Sequence, residues 1–358
     1  MYFRVFRIGK MDSFVKNRLI MGIRKLFLST VALAFAVLCV NAQGGRMRFA
    51  FDPEYPDVHD PVLAFENGRY YMFTTGFGIG MMSSTDMRGW QREKAPLDPI
   101  PQWARDLVPA YNGHTWAPDI HKVNDSWYLY YSCSTFGKNI SVIGVATNKT
   151  LNPESPDYHW QDLGMVIQSQ PIVDDYNAID PNLIIDKKGD PWLTFGSFWD
   201  GVQIVRLAKD MQTPIGEPRT IARRKAAAVV AHNQPDANDN AIEAPFIVYH
   251  KGYYYIFVGL DYCCKGLDSN YKIAVGRSRK ISGPYVDRDG VSMLDAGGTI
   301  IAAETDRYSG IGHCGVYDFN GKWYVIAHAY DKQMNGASKL FLRELRWEHG
   351  WPVILSDK

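Results

Sequence analysis

One plan occurs five times along this chain, and it limits the folds open to it. Four segments carry a proline, Pro61, Pro118, Pro181 and Pro245, at intervals of 57, 63 and 64 residues, and Gly315 falls 70 further on. Each begins a short apolar strand, followed by a turn pair and an aromatic strand. The turn pairs are Asn67-Gly68, Asn124-Asp125, Lys188-Gly189, Lys251-Gly252 and Asn320-Gly321. The strands after them begin at Tyr70, Trp127, Trp192, Tyr253 and Trp323. Such pairs join antiparallel strands of period two. Third strands follow, as at Ile143–Ala146, Gln203–Arg206 and Ile273–Gly276, and no long helical period occurs outside the N-terminal segment. Five units of about four strands read as an all-β, five-bladed β-propeller, in which radial repetition hides the sheet edges. A sandwich or β-helix is the alternative, but sandwich strands carry no sixty-residue repeat.

The N-terminus follows a different pattern. Arg24 and Lys25 precede an apolar run from Leu26 to Cys39, and Val40-Asn41-Ala42 then offers small residues at −3 and −1. That is the order of a secretory signal peptide, with cleavage before Gln43, and the run is too short to span a membrane. Met21 is a natural start for such a signal, which would make the first twenty residues an upstream extension. Leu38 before Cys39 disfavours a lipoprotein anchor. Residues 1–42 are therefore expected to be removed on the way to the periplasm or the medium. Residues 43–358 are expected to form one propeller domain, a monomer without a membrane span.

Composition narrows the partners. Taking the seven Lys/Arg and one Asp of residues 1–42 from the totals of 39 and 38 leaves 32 basic and 37 acidic residues, a net charge near −5. With no basic patch, nucleic acid is an unsuitable partner. Ten Trp and twenty-one Tyr supply faces for sugar rings, although strands favour aromatics in any case. Cys133, Cys263, Cys264 and Cys314 remain after cleavage. Their spacing suits no zinc site, adjacent cysteines rarely bridge each other, and buried thiols are the expectation, with room for one disulfide.

The chemistry lies beside the repeat prolines. Asp60, Asp180 and Glu243 stand one or two residues before them, and blade two holds Ala117 at that place. First strands of propeller blades line the central axis, so these acids should converge. A lone acid there would be read as a turn cap, but three in three blades exceed that role, because burying carboxylates is costly. Two carboxyl groups flanking a glycosidic bond are the minimum for glycoside hydrolysis. A third nearby would raise the acid's pKa by repulsion.

On these residues the chain resembles glycoside hydrolase family 43. Val58-His59-Asp60-Pro61, Trp116-Ala117-Pro118-Asp119, Asn177-Ala178-Ile179-Asp180-Pro181 and Glu243-Ala244-Pro245-Phe246 look like its acid motifs. Gly196–Gly201, Asp261–Gly266, Gly297-Gly298-Thr299 and Gly312-His313 look more narrowly like its endo-1,5-α-L-arabinanases. The resemblance implies an inverting enzyme that cuts internal α-1,5 bonds of arabinan, a pectin side chain. Asp60 would be the general base, Glu243 the general acid, and Asp180 the carboxylate that tunes the acid and orients the sugar. It also implies a metal ion, taken as calcium, held by His313 and waters. From the residues alone His313 reads as a core histidine, since hard cations prefer oxygen.

Trp116, Gly137, Asn177, Ser197, Phe198 and Trp199 are the expected substrate contacts, with Phe77 and Phe136 as further stacking candidates; each aromatic alone would more often be core. His59, beside the base, is expected either to bond within the site or merely to the backbone. Asp200 departs from the family's usual small residue and places an extra carboxylate where it would alter a subsite. Two long connections, Leu97–Tyr111 and Ala226–Asn240, stand where loops could narrow the groove. An exo-acting arabinofuranosidase or xylosidase of the same family is the rival reading, since loops that close one end turn a cleft into a pocket. Fructan-active propellers carry Arg before an internal Asp-Pro, whereas Ile179 stands before Asp180. A non-catalytic carbohydrate-binding propeller would be expected to lack one of the three acids.

Overall fold

A computed structural model describes residues 51–226, 234 and 236–356; the expected signal segment lies outside the described residues. Five antiparallel sheets follow one another along the chain. Blade one comprises β1 (Val62–Glu66), β2 (Arg69–Thr74), β4 (Gly80–Ser84) and β5 (Gln91–Arg92), while β3 (Gly76–Phe77) joins the next sheet. A short helix, α1 (Gln102–Leu107), leads to blade two: β6 (His114–Val123), β7 (Ser126–Ser134), β8 (Ser141–Asn148) and β9 (Gln161–Ser169). Blade three holds β10 (Asn182–Ile185), β11 (Pro191–Phe195), β12 (Val202–Leu207) and β13 (Pro214–Ala222). Blade four holds β14 (Ile242–His250), β15 (Tyr253–Leu260), β16 (Lys272–Ser278) and β17 (Thr299–Ala302). Blade five holds β18 (Tyr308–Phe319), β19 (Lys322–Asp331), β20 (Ala337–Glu348) and β21 (Trp351–Ile354). The first strands pack in a circle, β1 on β6, β6 on β10, β10 on β14, β14 on β18 and β18 on β1. This is the five-bladed propeller expected from the repeat.

The turn chemistry does what the sequence requires of it. Glu66 pairs with Arg69 around Asn67-Gly68, His250 with Tyr253 around Lys251-Gly252, and Phe319 with Lys322 around Asn320-Gly321. All six turn residues have positive φ, the geometry whose twist matches the flanking strands. Alternation along the strands then feeds two junctions at once. Leu129, Tyr131 and Cys133 point into the apolar cluster shared with blade one, and Tyr130 between them into the one shared with blade three. Among the described residues such a cluster fills each of the five junctions. The Leu97–Tyr111 connection belongs to the first, through Leu97, Ala104, Val108 and Tyr111. It fills the core and does not line the groove.

The ring is closed by the N-terminal segment. Val58 N–H donates to the Ser338 carbonyl at 3.2 Å, Leu340 N–H to the Pro56 carbonyl at 3.2 Å, and the buried Lys339 ammonium lies 2.8 Å from Asp57.

At the axis the repeat continues into the backbone. Asp60, Ala117, Asp180, Ala244 and His313 have φ of 52°, 44°, 60°, 52° and 50°. Left-handed backbone is uncommon outside glycine, and a residue before proline is further restricted to extended conformations. Four of these five precede a proline. Side chains from the preceding blade hold three of the strained amides: Ala117 N–H donates to Thr75 Oγ1 (2.8 Å), Asp180 N–H to Ser132 Oγ (3.1 Å) and Ala244 N–H to Asp180 Oδ2 (3.1 Å). Across the closure Asp60 N–H donates to His328 Nδ1 at 3.2 Å. Ladder irregularities fall at the same places in β6, β14 and β18. The repeat thus sets a ring of five bulges facing the axis.

Cys133 and Cys314 are buried free thiols, as expected. Cys263 and Cys264 are not: they bridge each other. Cys264 takes a left-handed φ of 69° in the connection between β15 and β16, a turn that brings neighbouring sulfurs together and that spacing alone does not reveal.

Candidate active site

The bulges direct Asp60, Asp180 and His313 into one cleft of about 1050 Å³, and Glu243, one residue before the left-handed Ala244, joins them. The same cleft is lined by Trp116, Gly137, Asn177, Ser197, Phe198 and Trp199, and by Phe136. Their environments differ. Phe136 is 79% exposed and free to offer a ring face, whereas Trp199 is 2% exposed, with its indole N–H on the Gln234 carbonyl. Trp199 therefore backs the wall, and the stacking role expected of it has no exposed face to use. Phe77 does not line the cleft; its ring meets His114 edge-on at 5.3 Å. Asp200 is likewise removed from substrate. Arg223 grips it with Nε on Oδ1 (2.7 Å) and Nη2 on Oδ2 (2.9 Å), so the extra carboxylate ties the blade-three loop to the end of its own blade.

Three carboxylates in one buried site must ionise differently. Asp60 is buried, which pushes its pKa up, but His313 and His59 outweigh burial and hold it well below the usual carboxylate range. His313 Nδ1 lies 3.1 Å and His59 Nδ1 2.9 Å from Asp60 Oδ1, while Thr75 donates to Oδ2 at 2.5 Å. His59 thus bonds within the site. Burial raises Asp180 to about 8, with Glu243 and Asp60 adding repulsion against His313. Burial also raises Glu243, against a 2.7 Å hydrogen bond from Ser197 to Oε2. Asp180 and Glu243 titrate together, so a proton held near neutral pH belongs to the pair. The site therefore joins a firmly ionised carboxylate to a carboxyl pair that retains a proton, the division that acid–base hydrolysis needs.

Burial lowers His313, but the surrounding carboxylates, Asp60 foremost, raise it to about 9. His313 feels all three acids at once, which makes its place one that favours positive charge, whether a proton or a cation supplies it. Its charge balance fits the expected ion; as a donor set it offers a single nitrogen, so water oxygens would have to complete a calcium shell.

Several residues around the acids carry no sequence signal. Thr75 ends its strand one residue past β2, and His328 and Tyr330 lie mid-strand in β19. Tyr271 packs its buried hydroxyl toward Glu243 without a full hydrogen bond. It explains the Gly312-His313 pair: a Cβ at Gly312 would meet the Tyr271 ring at 2.1 Å. One signal for His313 was present in the sequence. It occupies the left-handed position of blade five, where Cys314 replaces the proline that marks the other four.

The family description Glycosyl hydrolases family 43 matches residues 56–352. The chain belongs to this family. Among solved structures, an exo-1,5-α-L-arabinanase from a bovine ruminal metagenomic library is 58% identical, with a TM-score of 0.82, covering 86% of this chain and 100% of its own. The extracellular exo-α-(1→5)-L-arabinofuranosidase ArbA of Cellvibrio japonicus is 42% identical over 90% of this chain and 91% of its own length. The extracellular endo-α-(1→5)-L-arabinanase 1 of Bacillus subtilis is 38% identical over 92% and 97%. This family 43 chain is accordingly a glycoside hydrolase of the arabinanase and arabinofuranosidase group.

Proposed function

We propose that this chain hydrolyses the α-1,5 bonds of arabinan with inversion, releasing short products from chain ends, and that it does so outside the cell. The observation that carries the chemistry is the unequal ionisation of the three acids. Asp60 draws a proton from water on the face opposite the leaving group. Glu243 delivers a proton to the departing oxygen. Asp180 shares its proton with Glu243 and accepts the Ala244 amide, fixing the bulge that presents the acid. A bound ion would supply fixed positive charge beside the carboxylates, with His313 as its protein ligand. Trp116, Phe136 and Phe198 face the furanose rings, and Asn177 and Ser197 supply polar contacts. Export is supported by the signal-like segment and by the two relatives named extracellular.

A wall supports action at chain ends. Ala237 N–H donates to the Gly137 carbonyl at 3.2 Å, and Lys138 pairs with Asp236, so the connection into blade four meets a blade-two loop above Phe198 and Trp199. Gly137, Lys138, Ala237 and Asn238 all line the cleft. The relative at 58% identity carries the exo name. The second reading, cleavage within the polymer, is supported by the Ser-Phe-Trp and Asp-Tyr-Cys-Cys segments and by the Bacillus subtilis relative.

The test is the product profile on linear, debranched arabinan over time, with Glu243→Ala as control. One short product from the first minutes supports the exo reading; early mixed oligosaccharides support the endo reading. No cleavage by the wild type would overturn the substrate, and undiminished cleavage by Glu243→Ala would overturn the acid.

A further inference from the structure

We propose that the Cys263–Cys264 disulfide is a positioning element for the general base, so that its reduction slows catalysis while leaving the propeller folded. The proposal rests on the arabinan reading for its substrate and on Asp60 as the base.

The bridge lies in the connection between β15 and β16, on the wall of the cleft. From it a short path of polar contacts reaches Asp60. Cys264 N–H donates to Tyr330 Oη at 2.7 Å. That hydroxyl lies 3.0 Å from His59 Nε2 and 3.3 Å from His328 Nε2. The opposite nitrogens of both rings meet Asp60: His59 Nδ1 is 2.9 Å from Oδ1, and His328 Nδ1 accepts the Asp60 amide. Cys264 Sγ also lies 3.8 Å from His59 Nε2, and the His59 and His328 rings stack at 3.8 Å. His59 and His328 therefore both reach Asp60 from Tyr330, while His313 meets it independently.

Backbone conformation makes the bridge the controlling part. Cys264 N–H points at Tyr330 with its own residue at φ 69°, a conformation that a side chain bearing Cβ holds only when its surroundings impose it. The connection is anchored at its ends, where Asp261 is held by Arg224 (2.8 Å) and Lys272 (2.6 Å). The disulfide is the covalent constraint between those anchors. A dithiol reductant would transfer two electrons and two protons, leaving two thiols and its own cyclic disulfide. Cys264 could then relax to ordinary backbone, turning its N–H from Tyr330 and freeing the His59 ring.

The experiment compares oxidised protein with protein reduced by dithiothreitol and capped with iodoacetamide under native conditions. Cys133 and Cys314 are buried, at 0% and 3% exposure, so mass spectrometry should find two caps, on Cys263 and Cys264. On linear arabinan kcat should fall about tenfold, the scale of a misplaced catalytic group, with KM moving less than twofold and the thermal transition retained. Reoxidation of uncapped protein should restore the rate. In His59→Ala, already slowed, reduction should cost less than in the wild type, because only the His328 branch from Tyr330 remains. The Cys263→Ser/Cys264→Ser protein, prepared without reductant, should match the reduced wild type. Two caps with unchanged kcat, a change in KM alone, loss of the folded ring, or an undiminished loss in His59→Ala would each overturn the proposal. Failure of the oxidised protein to cleave arabinan would instead overturn the substrate reading.

Discussion

Asp60 Oδ1 lies 3.1 Å from His313 Nδ1, so the left-handed residues of the first and last blades face each other as a buried pair. The pair links stability to pH in two directions. Asp60 is depressed below its unfolded value near 3.8, so its contribution is present above that value and is lost as pH falls through the folded one. His313 is raised from 6.5 to about 9, so its contribution is complete below 6.5 and is lost as pH rises through 9. Asp180, raised by burial from 3.8 to about 8, works opposite to Asp60: its contribution is complete below 3.8 and is lost as pH rises through 8. In metal-free protein, thermal unfolding should therefore show a maximum on the acidic side and a decline across neutral pH. Asp60→Asn should lower that maximum by about 3–5 kcal/mol, the cost of stranding one buried charge, and weaken the His313 part of the alkaline decline, to which Asp180 and Glu243 still contribute.

The Asp180–Glu243 pair predicts the alkaline limb of activity. Burial, with repulsion from Glu243 and Asp60, carries Asp180 to about 8, and burial with repulsion from Asp60 raises Glu243, so kcat/KM should fall as the shared proton is lost near that pH. Ser197 donates to Glu243 and favours its charged form. Ser197→Ala should move the limb to higher pH in a pH–rate profile; a limb moved to lower pH would contradict this role.

Gly312 is predicted to be intolerant of a methyl group. A Cβ 2.1 Å from the Tyr271 ring must displace that ring from Glu243 or move the strand that carries His313. Gly312→Ala should lower stability by about 1–3 kcal/mol and kcat by about tenfold or more, read from denaturant melts and initial rates. Tyr271→Leu in the same chain should recover the stability but not the rate.

The wall beside Phe198 is predicted to set product length. Lys138→Ala with Asp236→Ala removes the ion pair that joins its two loops. Chromatography of arabinan digests should then show longer products early, with turnover of short arabino-oligosaccharides changed less than twofold. An unchanged product pattern would contradict this role for the wall.

The axial prolines and the acids before them made the blades and the three carboxylates legible, because a repeated backbone bulge leaves a repeated residue behind. Where the marker was lost the equivalence was hidden: Cys314 in place of proline concealed that His313 is the fifth member. Thr75, His328 and Tyr271 act across blade boundaries, and nothing in their own segments distinguishes them from strand residues. Asp200 was misread for a related reason. Its place in a family motif suggested the cleft, but Arg223, which removes it from substrate, lies 23 residues on. The Cys263–Cys264 bridge depended on one left-handed residue, which spacing does not encode.

Closure by the Val58 and Leu340 hydrogen bonds makes this enzyme report on its own completion. Asp60, the proposed base, belongs to the first blade, and His313 and His328, which meet it, arrive with the last, more than 250 residues later in synthesis. A chain cut before blade five would keep Asp60 yet lack both His313 and His328. With Asp60 as the proposed base, hydrolysis would wait until the two ends of the chain have met, and a partly made copy would be silent.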